Sequence, residues 1–146
     1  MRALIQRVLE AKVVVDGQIT GEIQQGLLVF LGLGKADTLE KGQKLIDKLL
    51  KYRIFDDENG KMGWSVTQAQ GGILLVSQFT LMANTQKGLR PDFGPAMPPV
   101  EAEALYQQLV DYTRLHFPQV QVGVFAADMK VHLVNDGPVT FNLEIE

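Results

Sequence analysis

The chain has 146 residues, of which 46% are hydrophobic, and this is enough for one packed core and too little for two of ordinary size. It carries 14 basic and 17 acidic residues, and this net charge of −3 argues against a protein that grips a long nucleic-acid backbone by counterion release. It has no cysteine, and none of its apolar runs approaches the roughly 18 residues of a membrane helix, so we exclude disulfide chemistry and membrane insertion and expect a cytoplasmic location.

The beginning of the chain is predicted to form β-strands. Residues 2–9 and 12–15 alternate loosely, and Asp16-Gly17 before residues 19–23 is a strong hairpin signal because both positions tolerate positive φ. Residues 26–34 are continuously apolar with glycine at each end, which predicts a central strand covered on both faces. The Gly-Leu-Gly ending of this run lacks the third glycine of a dinucleotide loop, so we set that function aside.

A helix and a hairpin are predicted next. Residues 37–40 have the form of a capping box, and an apolar stripe continues at helical spacing to about Tyr52. Residues 56–61 are predicted to form a turn before a short strand that packs Trp64 against the core. The acidic residues of this turn do not have the alternating spacing of an EF-hand, so a solvated hairpin tip is the better interpretation.

Polar side chains follow a strongly apolar run in the middle of the chain. Residues 71–76 predict a strand buried on both faces, which continues into Ser77, Gln78 and Thr80. Strand alternation would place Gln78 and Thr80 on one face, and Ser77 with Phe79 on the other. A polar group removed from water costs about 1–3 kcal/mol unless it is hydrogen-bonded, so these groups either satisfy loop backbone or line a cavity.

A long loop and a second helix come next. Residues 83–99 contain four prolines, and loops of this length in small domains are often functional. Arg90, which Pro91 holds out of a helical conformation, is a candidate for contacting phosphate, although an ordinary solvated arginine explains it equally well. Pro98-Pro99 is a good entry to a helix that ends before Pro118.

The last part of the chain predicts three strands, at residues 120–125, 131–134 and 139–145. Residues 135–138 have the composition of a compact turn between the last two strands. The order of elements predicts an α+β fold in a single domain over residues 1–146. We expect a largely antiparallel, curled or barrel-like sheet with two main helices packed on it.

The sequence lacks the motifs of common hydrolases. It has no GxSxG nucleophile elbow and no HxxxH or HExxH metal pair. Its histidines are His116, in the last turn of the second predicted helix, and His132, which is out of phase with its apolar neighbours, so a structural or surface role is expected for each. We therefore expect neither a metal hydrolase nor any metal or organic cofactor.

Several stretches, taken in order along nearly the whole chain, resemble the D-aminoacyl-tRNA deacylase family. Each main motif alone would be weak, but their combination is highly specific. The resemblance is carried by residues 1–8 (MRALIQRV), 77–81 (SQFTL) and 135–140 (NDGPVT), and by 21–23, 52–55, 88–91 and 125–129.

The resemblance implies a catalytic segment made of Ser77, Gln78, Phe79 and Thr80. Backbone N–H groups around Phe79 would stabilise the oxyanion, and Gln78 would orient the substrate. Thr80 is the residue proposed as nucleophile in the family, but the sequence shows no partner base for it. An aminoacyl ester is already activated, so we favour attack by water assisted by the substrate's own ribose 2′-hydroxyl, with Thr80 in a supporting role.

The resemblance also implies how mirror-image substrates are told apart. In the family the peptide bond corresponding to Gly137-Pro138 is cis, and this segment enters the active site of the partner subunit in a homodimer. Arg7 would brace the segment, with a salt-bridged surface arginine as the alternative. Phe125 and Met129 match positions near the pocket, where core packing explains each of them equally well.

The implied function is hydrolysis of D-aminoacyl-tRNA, and of mischarged glycyl-tRNA, at the acceptor end of the tRNA. One alternative is a non-catalytic dimeric module of the same fold that binds an RNA end or a small ligand. Another is a general esterase for small D-aminoacyl esters.

Overall fold

A computed structural model describes residues 1–146 and contains two α-helices, one 3₁₀ helix and eight strands. The helices are α1 (Leu39–Lys51), the 3₁₀ helix (Phe79–Met82) and α2 (Pro99–His116). The strands are β1 (Arg2–Val15), β2 (Gln18–Ile23), β3 (Gly26–Gly32), β4 (Phe55–Asp56), β5 (Met62–Trp64), β6 (Gly72–Ser77), β7 (Val120–Val122) and β8 (Lys130–Glu144). Neither α-helix combines the length and the apolarity that crossing a bilayer requires.

The main sheet is built around β1, which is antiparallel to β2, β3 and β8. The pairs β3–β6 and β6–β7 are parallel, so the sheet is mixed rather than uniformly antiparallel. Parallel neighbours need a crossover, and α1 and α2 lie in the two connections that join these strands. The antiparallel part of the prediction is therefore confirmed for the ladders of β1, and the two helices account for the parallel part.

The sheet curls until its two ends meet. Gly21 in β2 lies so close to the carbonyl group of Val122 in β7 that a Cβ atom at this position would collide with it. Glycine allows this approach because it has no side chain. The curled, barrel-like sheet predicted from the sequence is therefore confirmed.

Two hydrophobic clusters cover the two faces of the central strands. The larger has 25 buried residues and lies between the sheet and the helices, while the smaller has seven and lies on the other face of the sheet. Strands β3 and β6 contribute alternate side chains to both clusters, as the prediction of strands buried on both faces requires. Ile73 and Leu75 of β6 belong to the larger cluster, and Leu74 and Val76 to the smaller.

The prediction of a turn at residues 135–138 is wrong, because this segment lies within the single strand β8. Val8 pairs with Asn135 and Gln6 pairs with Thr140, so four residues, 136–139, lie opposite Arg7 alone. The chain does not reverse, since both halves of β8 run antiparallel to β1. The turn-like composition instead forms a bulge, which we call the 136–139 bulge.

The side chain of Asn135 forms hydrogen bonds between the two ends of the bulge. Its Oδ1 accepts a hydrogen bond from the backbone N–H of Val139 at 2.7 Å, and its Nδ2 donates to Thr140 Oγ1 at 2.9 Å. A short amide side chain thus replaces the ladder bonds that are missing at the bulge.

Helix α1 begins differently from the predicted capping box. Thr38 is the N-cap, and its hydroxyl accepts from the N–H of Lys41 at 3.3 Å. Asp37 instead accepts a hydrogen bond from the N–H of Gly34 at 2.6 Å and forms a buried ion pair with the Met1 α-ammonium group at 2.9 Å. The helix still ends where it was expected, with Tyr52 as C-cap.

Candidate active site

A cavity of about 620 Å³ lies where the parallel strands β3 and β6 end. Crevices at the carboxyl ends of parallel strands are common binding sites, and this volume is within the usual range for small-molecule pockets. Thirteen of its 18 lining residues are hydrophobic. The lining comes from the end of β3 and the residues just after it (Leu31, Leu33), from the end of β6 and the residues just after it (Val76, Ser77, Gln78, Phe79), from the long loop and start of α2 (Phe93, Ala96, Met97, Pro98, Pro99, Ala102), and from the segment before β8 and its start (Phe125, Ala126, Ala127, Asp128, Met129, Val131).

The predicted catalytic segment reaches this cavity through a 3₁₀ helix and not through a continued strand. Strand β6 ends at Ser77, so the expected alternation of Gln78 and Thr80 along a strand is wrong. Ser77, Gln78 and Phe79 line the cavity, whereas Thr80 is exposed and is not one of the lining residues. The helical turn brings the Gln78 side chain to Thr80, and Gln78 Nε2 donates a hydrogen bond to Thr80 Oγ1.

Three contacts fix the position of the 3₁₀ helix. The N–H of Gln78 donates to the carbonyl group of Leu31 at 2.8 Å, and Arg2 Nη1 donates to the carbonyl group of Leu81 at 2.8 Å. Gly32 permits the close approach, because a Cβ atom there would lie 2.9 Å from Leu81 Cβ. Arg2 and Gly32 thus position the predicted catalytic segment, and neither of these roles was predicted from the sequence. Arg2 and Leu81 are 79 positions apart, and no local pattern signals their contact.

Phe125 and Met129 both line the cavity. Behind Phe125, the ring of Tyr106 packs at 5.8 Å between centroids, and the Tyr106 hydroxyl donates to the carbonyl group of Leu75 at 3.0 Å. Burial raises the pKa of Tyr106 to about 12, so its hydroxyl stays protonated near neutral pH. Tyr106 therefore supports the wall of the cavity and supplies no base.

Neither histidine lies at the cavity. His116 is exposed at the end of α2, where its ring packs against Tyr112 at 4.4 Å, and His132 is exposed on β8. No group of three or more His, Cys, Asp or Glu side chains is placed to hold a metal ion.

Arg7 contacts the 136–139 bulge. The arginine is buried, its Nε donates to the carbonyl group of Asp136 at 2.9 Å, and its Nη1 donates to the carbonyl group of Ile54 at 2.9 Å. It also pairs with the carboxylates of Asp56 at 3.3 Å and Asp136 at 3.6 Å. Arg7 is thus a buried link between the β4–β5 hairpin and the bulge, and not a surface arginine.

The structure therefore divides the predicted site residues into two places. The Gly137-Pro138 peptide bond is cis, and both residues are exposed at the bulge. Neither of them lines the cavity formed by the same chain, and Arg7 does not line it either.

The chain is similar to a known protein family, to known sequences and to solved structures. The family model for D-Tyr-tRNA(Tyr) deacylase matches residues 4–144. A D-aminoacyl-tRNA deacylase of Acinetobacter baumannii (strain ACICU) is 83% identical over 146 residues, covering 100% of this chain and 99% of the relative. One from Psychrobacter sp. (strain PRwf-1) is 57% identical over 145 residues, covering 99% of each chain. A solved structure named c-Myc DNA Unwinding Element Binding Protein superposes with a TM-score of 0.96 and 41% identity, covering 100% of this chain and 99% of that chain. The chain therefore belongs to the D-Tyr-tRNA(Tyr) deacylase family.

Proposed function

We propose that this protein hydrolyses the ester that joins a D-amino acid to the 3′ end of tRNA and rejects the L-aminoacyl ester. Family membership supports the reaction. The structural observation that carries it is the placement of Ser77, Gln78 and Phe79 on the wall of a largely apolar cavity. Such a wall offers a few hydrogen-bonding groups in a largely apolar environment. Aminoacyl-tRNA is used where translation takes place, so we place the activity in the cytoplasm.

The chemistry needs little more than positioning. Water attacks the ester carbonyl carbon, the carbonyl oxygen becomes an oxyanion, and the bond to the ribose 3′-oxygen then breaks to release the amino acid and tRNA. The N–H groups of Phe79 and Thr80 open the 3₁₀ helix and have no carbonyl acceptor within it, so they are suitable donors to the oxyanion.

The surroundings of Thr80 favour assistance by the RNA over a threonine nucleophile. The side-chain partner of the Thr80 hydroxyl is the Gln78 amide, which cannot take a proton from it. A hydroxyl nucleophile needs an adjacent base. In our proposal the ribose 2′-hydroxyl assists the attacking water, and Thr80 holds Gln78 in the orientation that meets the substrate.

Discrimination between mirror images is assigned to the 136–139 bulge of a partner subunit in a homodimer. Gly137 and Pro138 are exposed while Arg7 holds the bulge from within, so a rigid main-chain surface is available to a second chain. A wall of backbone cannot rotate away as a side chain can. It excludes L side chains without recognising D side chains, and glycine passes it, so glycyl-tRNA is included among the proposed substrates.

The reaction is tested by incubating the purified protein with D-tyrosyl-tRNA and with L-tyrosyl-tRNA and following loss of the ester. We expect hydrolysis of the D ester only, and Gln78→Ala should slow it. A D-tyrosyl-tRNA with a 2′-deoxy terminal adenosine should react far more slowly than the ribose form. Equal rates for the D and L esters would count against the proposal, and an unchanged rate for the 2′-deoxy ester would count against assistance by RNA.

A second candidate function is binding of nucleic acid without catalysis. It is favoured by the structural neighbour named as a DNA-element binding protein, which covers the whole of this chain. The excess of acidic over basic residues argues against binding to long DNA. The two candidates are separated by measuring tRNA affinity beside turnover, because a binder would retain affinity and hydrolyse no ester. A general esterase would instead hydrolyse a D-aminoacyl methyl ester as fast as the tRNA ester.

A further inference from the structure

We propose that the rings of Phe79 and Phe93 form a stacking surface for a base of single-stranded RNA, that of the nucleotide just before the esterified one. The inference rests on the proposed function, because it assumes that the esterified terminal nucleotide occupies the cavity. We call this pair of rings the aromatic platform.

The aromatic platform is exposed although both of its rings line the cavity. Phe79 is 57% exposed and Phe93 is 40% exposed, their centroids are 5.0 Å apart, and their planes are inclined by 59°. The two rings therefore stand where the cavity opens to solvent. Bases stack readily on exposed aromatic faces, whichever base is present, because each base has a π-face.

The loop before Phe93 adds positive charge to this side of the cavity. Asn84 and Asp92 exchange backbone hydrogen bonds of 2.7 and 3.2 Å, which close residues 85–91 into a loop that leads directly to Phe93. Lys87 and Arg90 of this loop are exposed and form no salt bridge.

Asp92 offsets one of these two positive charges and leaves residues 84–94 with a net charge of +1, and Asp128, the carboxylate that lines the cavity, pairs with Lys130 at 3.0 Å. The carboxylate of Asp92 is engaged by its own loop, since it accepts a hydrogen bond from the N–H of Gly94 at 2.9 Å. Aromatic rings beside basic side chains without acidic partners are typical of single-stranded nucleic-acid sites, whereas an apolar peptide would gain nothing from the charge. The net charge of −3 makes such a surface local, as expected for the capture of an RNA end.

The geometry also identifies the nucleotide. An RNA whose terminal sugar carries the ester inside the cavity must leave through the opening, and the first base outside passes the aromatic platform. Phe79 belongs to the catalytic segment itself, so stacking there would also help to set the position of the ester.

The first experiment compares two substrates that differ only outside the cavity. One is a D-tyrosyl minihelix RNA with a single-stranded 3′ end, and the other is D-tyrosyl-adenosine, which lacks the preceding nucleotide. Phe93→Ala should lower kcat/KM for the minihelix about tenfold more than for D-tyrosyl-adenosine, and Phe93→Trp should preserve the preference for the minihelix. Leu115→Ala removes a side chain that is 83% exposed near the end of α2 and serves as the control. Equal losses on both substrates would mean that Phe93 only shapes the cavity, and the proposal would fail.

The second experiment removes the base instead of the ring. The wild type should hydrolyse a minihelix with an abasic site just before the terminal adenosine more slowly than the intact minihelix, and this loss should be smaller in Phe93→Ala, which retains only the Phe79 ring. Additive losses from the two changes would overturn the proposed contact.

A binding measurement separates this inference from the proposed function. Fluorescence anisotropy with uncharged minihelix RNA should show about tenfold weaker binding for Phe93→Ala. Substitution of both Lys87 and Arg90 by alanine should reduce the slope of log affinity against log salt by about 0.7 for each lost phosphate contact. If no ester is hydrolysed but these binding losses appear, the proposed function fails and the platform stands. If binding is the same in wild type and Phe93→Ala, the platform is refuted even when the D ester is hydrolysed.

Discussion

Arg2→Ala should reduce catalysis without unfolding the protein. Arg2 Nη1 donates a hydrogen bond of 2.8 Å to the carbonyl group of Leu81, the only link found between this side chain and the 3₁₀ helix. A hydrogen bond with a charged partner contributes about 1.5–3 kcal/mol, and partial solvent exposure brings the expected value to the lower end. If that free energy holds the catalytic segment in place, kcat should fall about tenfold, since 1.4 kcal/mol corresponds to a factor of ten.

Glu144→Gln is the matched control. Arg2 also pairs with Glu144 at 3.0 Å, but both side chains are substantially exposed, and such pairs contribute about 0–1 kcal/mol. The control removes the ionic partner and leaves the contact with Leu81. Single-turnover rates on D-tyrosyl-tRNA and urea unfolding should be measured for both variants. An unchanged kcat in Arg2→Ala, or an equal loss in Glu144→Gln, would refute the role of the Leu81 contact.

Three further predictions concern the positioning of the site and its surroundings. Gly32→Ala should lower kcat at least as much as Arg2→Ala does. The new Cβ would lie 2.9 Å from Leu81 Cβ and would displace the 3₁₀ helix. A Gly32→Ala variant with the wild-type kcat would contradict this prediction. Arg7→Met should lower the free energy of unfolding in urea by about 2–4 kcal/mol, because two backbone carbonyl groups lose a charged donor. It should also lower the ratio of the D-ester to the L-ester hydrolysis rate. A folded variant with the wild-type ratio would count against the role of the bulge in excluding L esters. Tyr106 has a folded-state pKa of about 12, above the unfolded value of 10.0, so the folded state holds its proton more tightly and stability is lost as pH rises from about 10 to about 12. The free energy of unfolding of Tyr106→Phe should fall less steeply than that of the wild type between about pH 10 and about pH 12. An identical pH dependence in the two proteins would show that Tyr106 does not contribute to it.

Elements with a strong local pattern were predictable from the sequence. Strand β3 is an apolar run between glycines, and the β1–β2 hairpin turns at Asp16 and Gly17, whose φ values are 49° and 77°. These features depend on neighbouring residues, so a single sequence contains the information for them. The parallel pairing of β3 with β6 depends instead on the path of the chain through α1, and no residue of either strand encodes it.

The 136–139 bulge shows why local chemistry can mislead. Asn135, Gly137 and Pro138 are all typical turn residues, and the sequence does not reveal that both halves of β8 continue along the same partner strand. Pairing between distant residues decided the outcome, since Val8 and Gln6 of β1 set the register on the two sides of the bulge.

The site was predictable where a motif marks it and not where distant contacts build it. The structure brings Ser77, Gln78 and Phe79, which a motif marks, together with Phe125 and Met129 at one cavity. No local pattern indicated that the ring of Phe93 lines the cavity, because its position there depends on packing against the distant ring of Phe79.

The most direct test of the account is a competition for the enzyme between D-tyrosyl-tRNA and L-tyrosyl-tRNA labelled with different isotopes in one tube. The ratio of the two rates of ester loss then gives the ratio of kcat/KM for the two mirror images. We predict that the D ester is lost at least about a hundredfold faster, a difference of about 2.7 kcal/mol in transition-state free energy. Loss of both esters at the same rate, or of neither, would contradict the account.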